Sequence, residues 1–121
     1  MKMEYNLKGY RPFNTTSFIG RQQGEDVRKK LDLEKLDQGD YEVFLTLPAD
    51  TTSFNPSFYL GLLYHSIKAL GKDVFSSRYH FSFEETTAEG VKAVLQRNLD
   101  DGFRNALNSM DDKTGIKVFG L

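Results

Sequence analysis

The chain has 121 residues, no cysteine and a formal net charge of -1, and 39% of its residues are hydrophobic. This length and composition are typical of one domain, residues 1–121, whose core needs no disulfides. The near-zero net charge provides no field that would attract nucleic acid or an anionic membrane. The chain lacks both the roughly 20-residue apolar stretch of a membrane span and the apolar segment of a signal peptide. We therefore expect a cytoplasmic protein.

Alternating apolar residues predict strands over 2–8, 41–47 and 78–83, and helical spacing predicts helices over 20–31, 58–70 and from Thr86 towards residue 108. Residues 37–40 and 111–115 have the composition of turns. Thr86 and Glu89 fit a capping box for the last helix, in which Val91, Val94 and Leu95 would face the sheet. Residues 110–121 are expected to form either an edge strand or a loose tail.

Strands and helices thus alternate along the chain, which predicts an α/β fold with a mostly parallel or mixed sheet and helices packed on it. Leu63 and Ile67 are expected to pack against the sheet. Gly20 and Gly24 fall on one face of the first helix with Val27 and Leu31, which indicates either a close approach to the sheet or a simple tolerance of glycine.

The segment around Asn55 is the most informative part of the sequence. Asn55 is a favoured helix cap, Pro56 is favoured at the first helical position, and Ser57 then lies in the first turn. A phosphate at this position would gain backbone N–H donors and the positive end of the helix dipole. Two simpler interpretations remain open: Ser57 is only a good helix starter, or the helix start holds a small nucleotide or phosphate.

The following helix has a polar stripe that includes Ser57, Gly61 and His65, with Phe58, Leu62 and Tyr64 at its border. A border residue is either the edge of the core or part of a partner surface. The predicted partner-binding residues are Asn55, Ser57, Phe58, Leu62, Tyr64 and His65.

Catalytic and metal-binding patterns are missing from the sequence. The two histidines, His65 and His80, have no carboxylate or cysteine at ligand spacing, so no metal or cofactor is expected. Ser57 and His65 are two helical turns apart, roughly 12 Å along the axis, which is too far for a nucleophile and its base. The basic run over residues 28–30 is flanked by acidic residues, so we interpret it as a solvated helix face. We expect no enzyme activity.

Two stretches of the sequence resemble a known family. One is Ser-Phe-Ile-Gly-Arg-Gln-Gln-Gly-Glu-Asp-Val-Arg over residues 17–28, and the other is Thr-Ser-Phe-Asn-Pro-Ser-Phe-Tyr-Leu over residues 52–60. They are similar to the opening helix and the strand-to-helix turn of the STAS-like domain of unknown function, found in small bacterial and phage-associated proteins. STAS domains are also the fold of bacterial anti-sigma factor antagonists.

In the antagonists, this turn carries an Asp-Ser-Ser-Gly motif whose second serine is phosphorylated by an ATP-using anti-sigma kinase. The resemblance places Ser57 at that serine, Asn55 at the aspartate and Phe58 at the glycine. It implies a non-catalytic regulatory module whose protein partner is an ATP-binding kinase-type or anti-sigma-like regulator. The alternative is a small nucleotide- or phosphate-binding domain that uses the same helix start. The sequence does not predict the oligomeric state.

Overall fold

The structure is a computed structural model that describes residues 1–11 and 15–119, with side chains described up to residue 110. The strands are β1 (Lys2–Asn6), β2 (Ser17–Phe18), β3 (Glu42–Leu47), β4 (Ser53–Phe54) and β5 (Tyr79–Phe83). The helices are α1 (Arg21–Leu31), α2 (Leu33–Gln38), α3 (Pro56–Leu70), α4 (Lys72–Arg78) and α5 (Glu89–Phe119), and a 3₁₀ turn covers Leu7–Tyr10. The sequence from Gly9 to Thr16 is rich in turn-forming residues, and the part of that predicted turn around Pro12 and Asn14 lies outside the described residues.

Two parallel sheets organise the described chain. The larger has the order β1-β3-β5, with Tyr5, Leu45 and Phe81 in register, and the smaller pairs β2 with β4. Parallel neighbours need crossover connections, and the helices between the strands supply them. The predicted α/β fold with a parallel sheet is therefore confirmed.

The two faces of the larger sheet differ in their environment. In β3, Val43, Leu45 and Leu47 are fully buried in the core, whereas Phe44 and Thr46 between them are only half-buried. Phe44 stacks on the His80 ring with centroids 4.7 Å apart. Helices therefore cover one face of the sheet, and the other face presents polar and aromatic side chains to solvent.

Helices α1 and α3 approach each other closely at two glycines. A Cβ built on Gly24 would clash with the Phe58 carbonyl oxygen and lie 2.8 Å from the Leu62 amide nitrogen. A Cβ on Gly61 would clash with the Arg21 carbonyl group. The close approach expected for the glycines of α1 is therefore made by Gly24, and it is made to α3 rather than to the sheet.

We expect Gly61→Ala to lower the free energy of unfolding by about 1–3 kcal/mol, because its Cβ would force two backbones apart. Gly90→Ala is the matched control, since a Cβ at Gly90 in α5 has no neighbour within 4 Å. That control is expected to be neutral or to add up to about 1 kcal/mol from helix propensity. Equilibrium urea unfolding measures both; equal tolerance of the two substitutions would contradict the close helix contact.

Helices α2 and α4 are absent from the sequence prediction. Asp32 ends α1 in the left-handed conformation (φ 56°), and its N–H donates to the carbonyls of Arg28 and Lys29. Left-handed backbone is costly for most residues and least so for asparagine and aspartate, so Asp32 breaks the helix sharply. Asp37, expected in a turn, consequently lies in α2.

Helix α5 differs from the prediction at both ends. It begins at Glu89, so the residue before the helix is Ala88 rather than Thr86. The Ala88 carbonyl accepts the first helical hydrogen bond, from the Lys92 N–H at 2.9 Å. Val94 is 49% exposed, whereas Leu95 is buried. The helical backbone continues to Phe119, so the edge strand or loose tail expected after residue 110 was wrong as far as the chain is described. No helix in the described ranges is long and apolar enough to cross a membrane.

Candidate functional site

Asn55 joins the starts of α1 and α3. Its side-chain oxygen accepts from the Phe58 N–H at 3.0 Å, and Pro56 is the first helical residue, as the sequence predicts. The same oxygen also accepts from the Gly20 N–H at 3.5 Å, directly before α1. The Asn55 N–H donates to the Phe18 carbonyl at 2.9 Å. One side chain therefore fixes two neighbouring helix N-termini.

The short strands β2 and β4 support the Asn55 joint, by which we mean Asn55 together with the starts of α1 and α3. Their phenylalanines, Phe18 and Phe54, are fully buried with Phe58, and the three ring centroids are 5.1–5.7 Å apart. On the outer side, the hydroxyl oxygens of Thr16 and Thr52 lie 2.7 Å apart. An aromatic core on one side and a hydroxyl pair on the other give the joint a rigid base.

Ser57 is exposed in the first turn of α3. Helix α1 begins nearby after Gly20, whose φ of 93° suits glycine and which provides no side-chain cap. Two helix starts that lie side by side create a positive field from their dipoles. The arrangement can accept hydrogen-bonding or anionic groups from a partner.

The residues predicted to bind a partner separate into two groups. Asn55 is half-buried, Ser57 and His65 are exposed, and Tyr64 is half-buried beneath the Arg21 guanidinium, 5.8 Å above its ring. Phe58 and Leu62 are 0% exposed. The assignment of Phe58 and Leu62 as surface anchors was therefore wrong, because α1 covers that side of α3 through Gly24.

The sequence predicts that Arg28 belongs to a solvated helix face, and the structure contradicts this. Its side chain is only 12% exposed and its guanidinium donates to the Ser66 hydroxyl at 2.8 Å and to the Asp37 carboxylate at 3.3 Å. The same carboxylate accepts from Ser66 at 2.5 Å and from the Tyr79 hydroxyl at 2.6 Å. This network ties α1, α2, α3 and β5 together.

The position of Arg28 on α1 gives the one sequence signal for this network. It lies four residues after Gly24 and next to Val27, on the inward side of the helix, whereas Lys29 and Lys30 are exposed. Burial and the Asp37 hydrogen bond raise the pKa of Tyr79 above its usual range. Since every polar group in the network has a partner, its first role is structural.

Two shallow cavities adjoin the network and share His65. One of about 380 Å³ is lined by Glu25, Lys29 and Asp32, and one of about 520 Å³ by Gln38 and Leu70. Their charges are of both signs, so neither selects one kind of ion. Among the residues whose side chains are described, no group of three or more histidines and carboxylates could hold a metal ion.

A second well-defined ionic cluster lies at the ends of β1, β3 and β5. Glu84 accepts from the Ala49 N–H at 2.7 Å and from the Asn6 amide at 2.8 Å, and these two bonds hold the pKa of its carboxyl below the usual value. Arg11 binds Asp50 at 2.7 Å, which likewise lowers the pKa of that carboxyl. The Glu84 hydrogen bonds and the Arg11–Asp50 ion pair both fasten the β3–β4 connection, the segment that leads to Asn55.

Neither a family model, nor a curated protein, nor a solved structure matches this chain.

Proposed function

We propose that this protein is a non-catalytic, STAS-like regulatory module that binds a protein partner at the start of α3. The proposed docking surface consists of Asn55, Ser57, Tyr64 and His65. The observation that carries the proposal is the bonding of Asn55 to both helix starts, which holds Ser57 exposed on a rigid support. Groups that are already fixed lose little conformational entropy when a partner binds.

The resemblance to anti-sigma factor antagonists favours a kinase-type or anti-sigma-like regulator as the partner. A phosphoryl group on Ser57 would lie in the first turn of α3, where the helix dipole stabilises negative charge. The fold would therefore tolerate the modification, while the docking surface would gain about two negative charges. This combination is what a reversible binding switch requires.

Binding of a small nucleotide or phosphate is the second candidate. It is favoured by the start of α1, where Gly20 offers no side-chain cap and lies next to the capped start of α3. A ligand held there at a hundred times its Kd would raise the free energy of unfolding by roughly 2.7 kcal/mol. A thermal-shift screen with ATP, ADP and inorganic phosphate separates the two functions, because the protein-binding function predicts no shift.

We expect Ser57→Asp to weaken the affinity for the protein partner at least tenfold, which corresponds to about 1.4 kcal/mol. The added charge enters the docking surface, while the helix start accommodates it and the melting temperature stays unchanged. The affinity is measured by titration calorimetry with the partner isolated from the native source.

Ser109→Asp is the matched control, because Ser109 is also exposed but lies far along the sequence on α5. It is expected to leave both affinity and melting temperature unchanged. If Ser57→Asp binds as tightly as the unmodified protein, Ser57 only starts the helix and docking at this surface is wrong.

A further inference from the structure

Five aromatic side chains surround a cavity of about 230 Å³ between α3, α4, β5 and α5. Phe75 stacks on Tyr79 and on Phe103, with ring centroids 4.8 and 5.9 Å apart and planes within 14° and 13° of parallel. Tyr59 and Phe81 form another pair, 6.0 Å apart. The cavity therefore has aromatic walls whose faces and edges are held in place by the core.

One part of the cavity lining is polar and open to solvent. Tyr59 is 3% exposed, and its hydroxyl oxygen, which has no hydrogen-bond partner among the described residues, is not one of the buried unpartnered atoms and so reaches solvent. The nearby Asp100 carboxylate accepts from the Gln96 amide at 3.0 Å and has no cationic partner in the described part of the chain. Burial, and then the charge of Asp100, raise the pKa of Tyr59. The Tyr59 oxygen and the exposed Asp100 carboxylate therefore both lie where a ligand group can reach them.

These features are complementary to a cation. Aromatic ring faces attract ammonium and guanidinium groups, and the attraction is strongest where water is excluded. A guanidinium or ammonium N–H would donate to the Tyr59 hydroxyl and neutralise Asp100. A neutral side chain would fill the same space but leave the charge of Asp100 uncompensated. The cavity therefore selects the side chain of arginine or lysine.

The adjacent strand indicates how such a side chain would be presented. β5 is an edge strand that pairs only with β3, and no other described backbone group bonds to residues 80–83. It contains no lysine, glutamate or proline, the residues that commonly protect an edge, whereas the opposite edge β1 has Lys2 and Glu4. Tyr79 and Phe81, which alternate along β5, line the cavity.

We propose that an extended segment of a partner protein adds to the edge of β5 and places an arginine or lysine side chain in the aromatic cavity beside Asp100. Main-chain hydrogen bonds to β5 would provide affinity, and the cavity would provide specificity, as in other cases of strand addition. The site shares no residue with the docking surface at α3. It holds or fails independently of the function proposed for that surface.

The test uses the full chain and a short blocked peptide of alternating threonine and valine with one central arginine. A control peptide has glutamine in place of the arginine. We expect the arginine peptide to bind at least tenfold more tightly, and its binding to shift the backbone NMR signals of residues 80–83. Equal affinities of the two peptides, or signals in β5 that stay unchanged, would overturn the proposal.

Two substitutions locate the cation. Asp100→Asn is expected to weaken the arginine peptide about tenfold, while Asp101→Asn, a neighbouring carboxylate on α5 that pairs with Arg104 at 2.8 Å, leaves the affinity unchanged. Tyr59→Phe is expected to weaken the peptide while the melting temperature stays equal or rises, because it removes a hydroxyl without a partner. If Asp101→Asn has the same effect as Asp100→Asn, the proposed cation site is wrong. If n-butylguanidine binds as well as the peptide, the proposed strand addition to β5 is wrong.

Discussion

Asp37→Ala is expected to lower the free energy of unfolding by about 3–5 kcal/mol, the usual effect of removing one partner from a buried ion pair. The Asp37 side chain is 7% exposed. Its carboxylate accepts from Arg28 at 3.3 Å, from Ser66 at 2.5 Å and from Tyr79 at 2.6 Å. Alanine would leave a nearly buried guanidinium without its counter-charge and two hydroxyls without their main acceptor. Equilibrium unfolding in urea, followed by circular dichroism, measures the loss.

Asp40→Ala provides the matched control for this network. Asp40 follows α2 and, like Asp37, faces a cation, here Arg78 at 3.7 Å, but its side chain is fully exposed. Exposed ion pairs contribute little because water screens them, so the control should unfold at the same urea concentration as the original protein. A loss for Asp37→Ala no greater than that of Asp40→Ala would show that the network carries no stability. The Asp37→Asn variant should fall between the two, since its amide oxygen still accepts hydrogen bonds.

Leu63→Ala is expected to cost about 2–5 kcal/mol, because it removes a large side chain from a packed interior and leaves a cavity. Leu63 is 0% exposed in the middle of α3 and belongs to the same core as Leu45 of the sheet. This helix also contacts α1, α2, α4 and α5, so few elements are free to move into the vacated space. Thermal unfolding together with urea unfolding measures the change.

Val94→Ala is the corresponding control on an exposed helix face. The Val94 side chain is 49% exposed, so its truncation is expected to change the free energy of unfolding by no more than about 0.5 kcal/mol. The sequence pattern alone predicts the opposite for Val94, which it assigns to the sheet-facing side of α5. A large loss for Val94→Ala, or a small one for Leu63→Ala, would contradict the burial of these helices.

The sequence alone determined the local structure where strong signals coincide. Alternating aromatic and β-branched residues located β3 and β5 to within one residue of their observed starts. Asn55 and Pro56 predicted the cap and first residue of α3, and helical spacing predicted its end at residue 70. These signals depend on backbone hydrogen bonding and side-chain propensity within a few residues, so they need no knowledge of distant contacts.

The faces of the helices were decided only by the tertiary structure. The polar stripe of α3 was read from periodicity, which separates apolar from polar positions but does not show how many neighbours a helix has. Because α3 packs against α1 as well as the core, Gly61, Phe58 and Leu62 became interior residues. Glycine has no side chain to mark it as apolar, so the sequence could not distinguish a helix contact from simple tolerance.

Distant pairings are the other feature that only the tertiary structure decided. β2 and β4 are two residues each, too short to show an alternating pattern, yet their pairing sets the Asn55 joint. Arg28 reads as part of a charged run until Asp37, Ser66 and Tyr79 are brought around it. The aromatic cavity likewise combines α3, α4, β5 and α5, elements whose apolar residues each read only as core. Such sites arise from packing between segments far apart in the chain, and local composition does not record which segments meet.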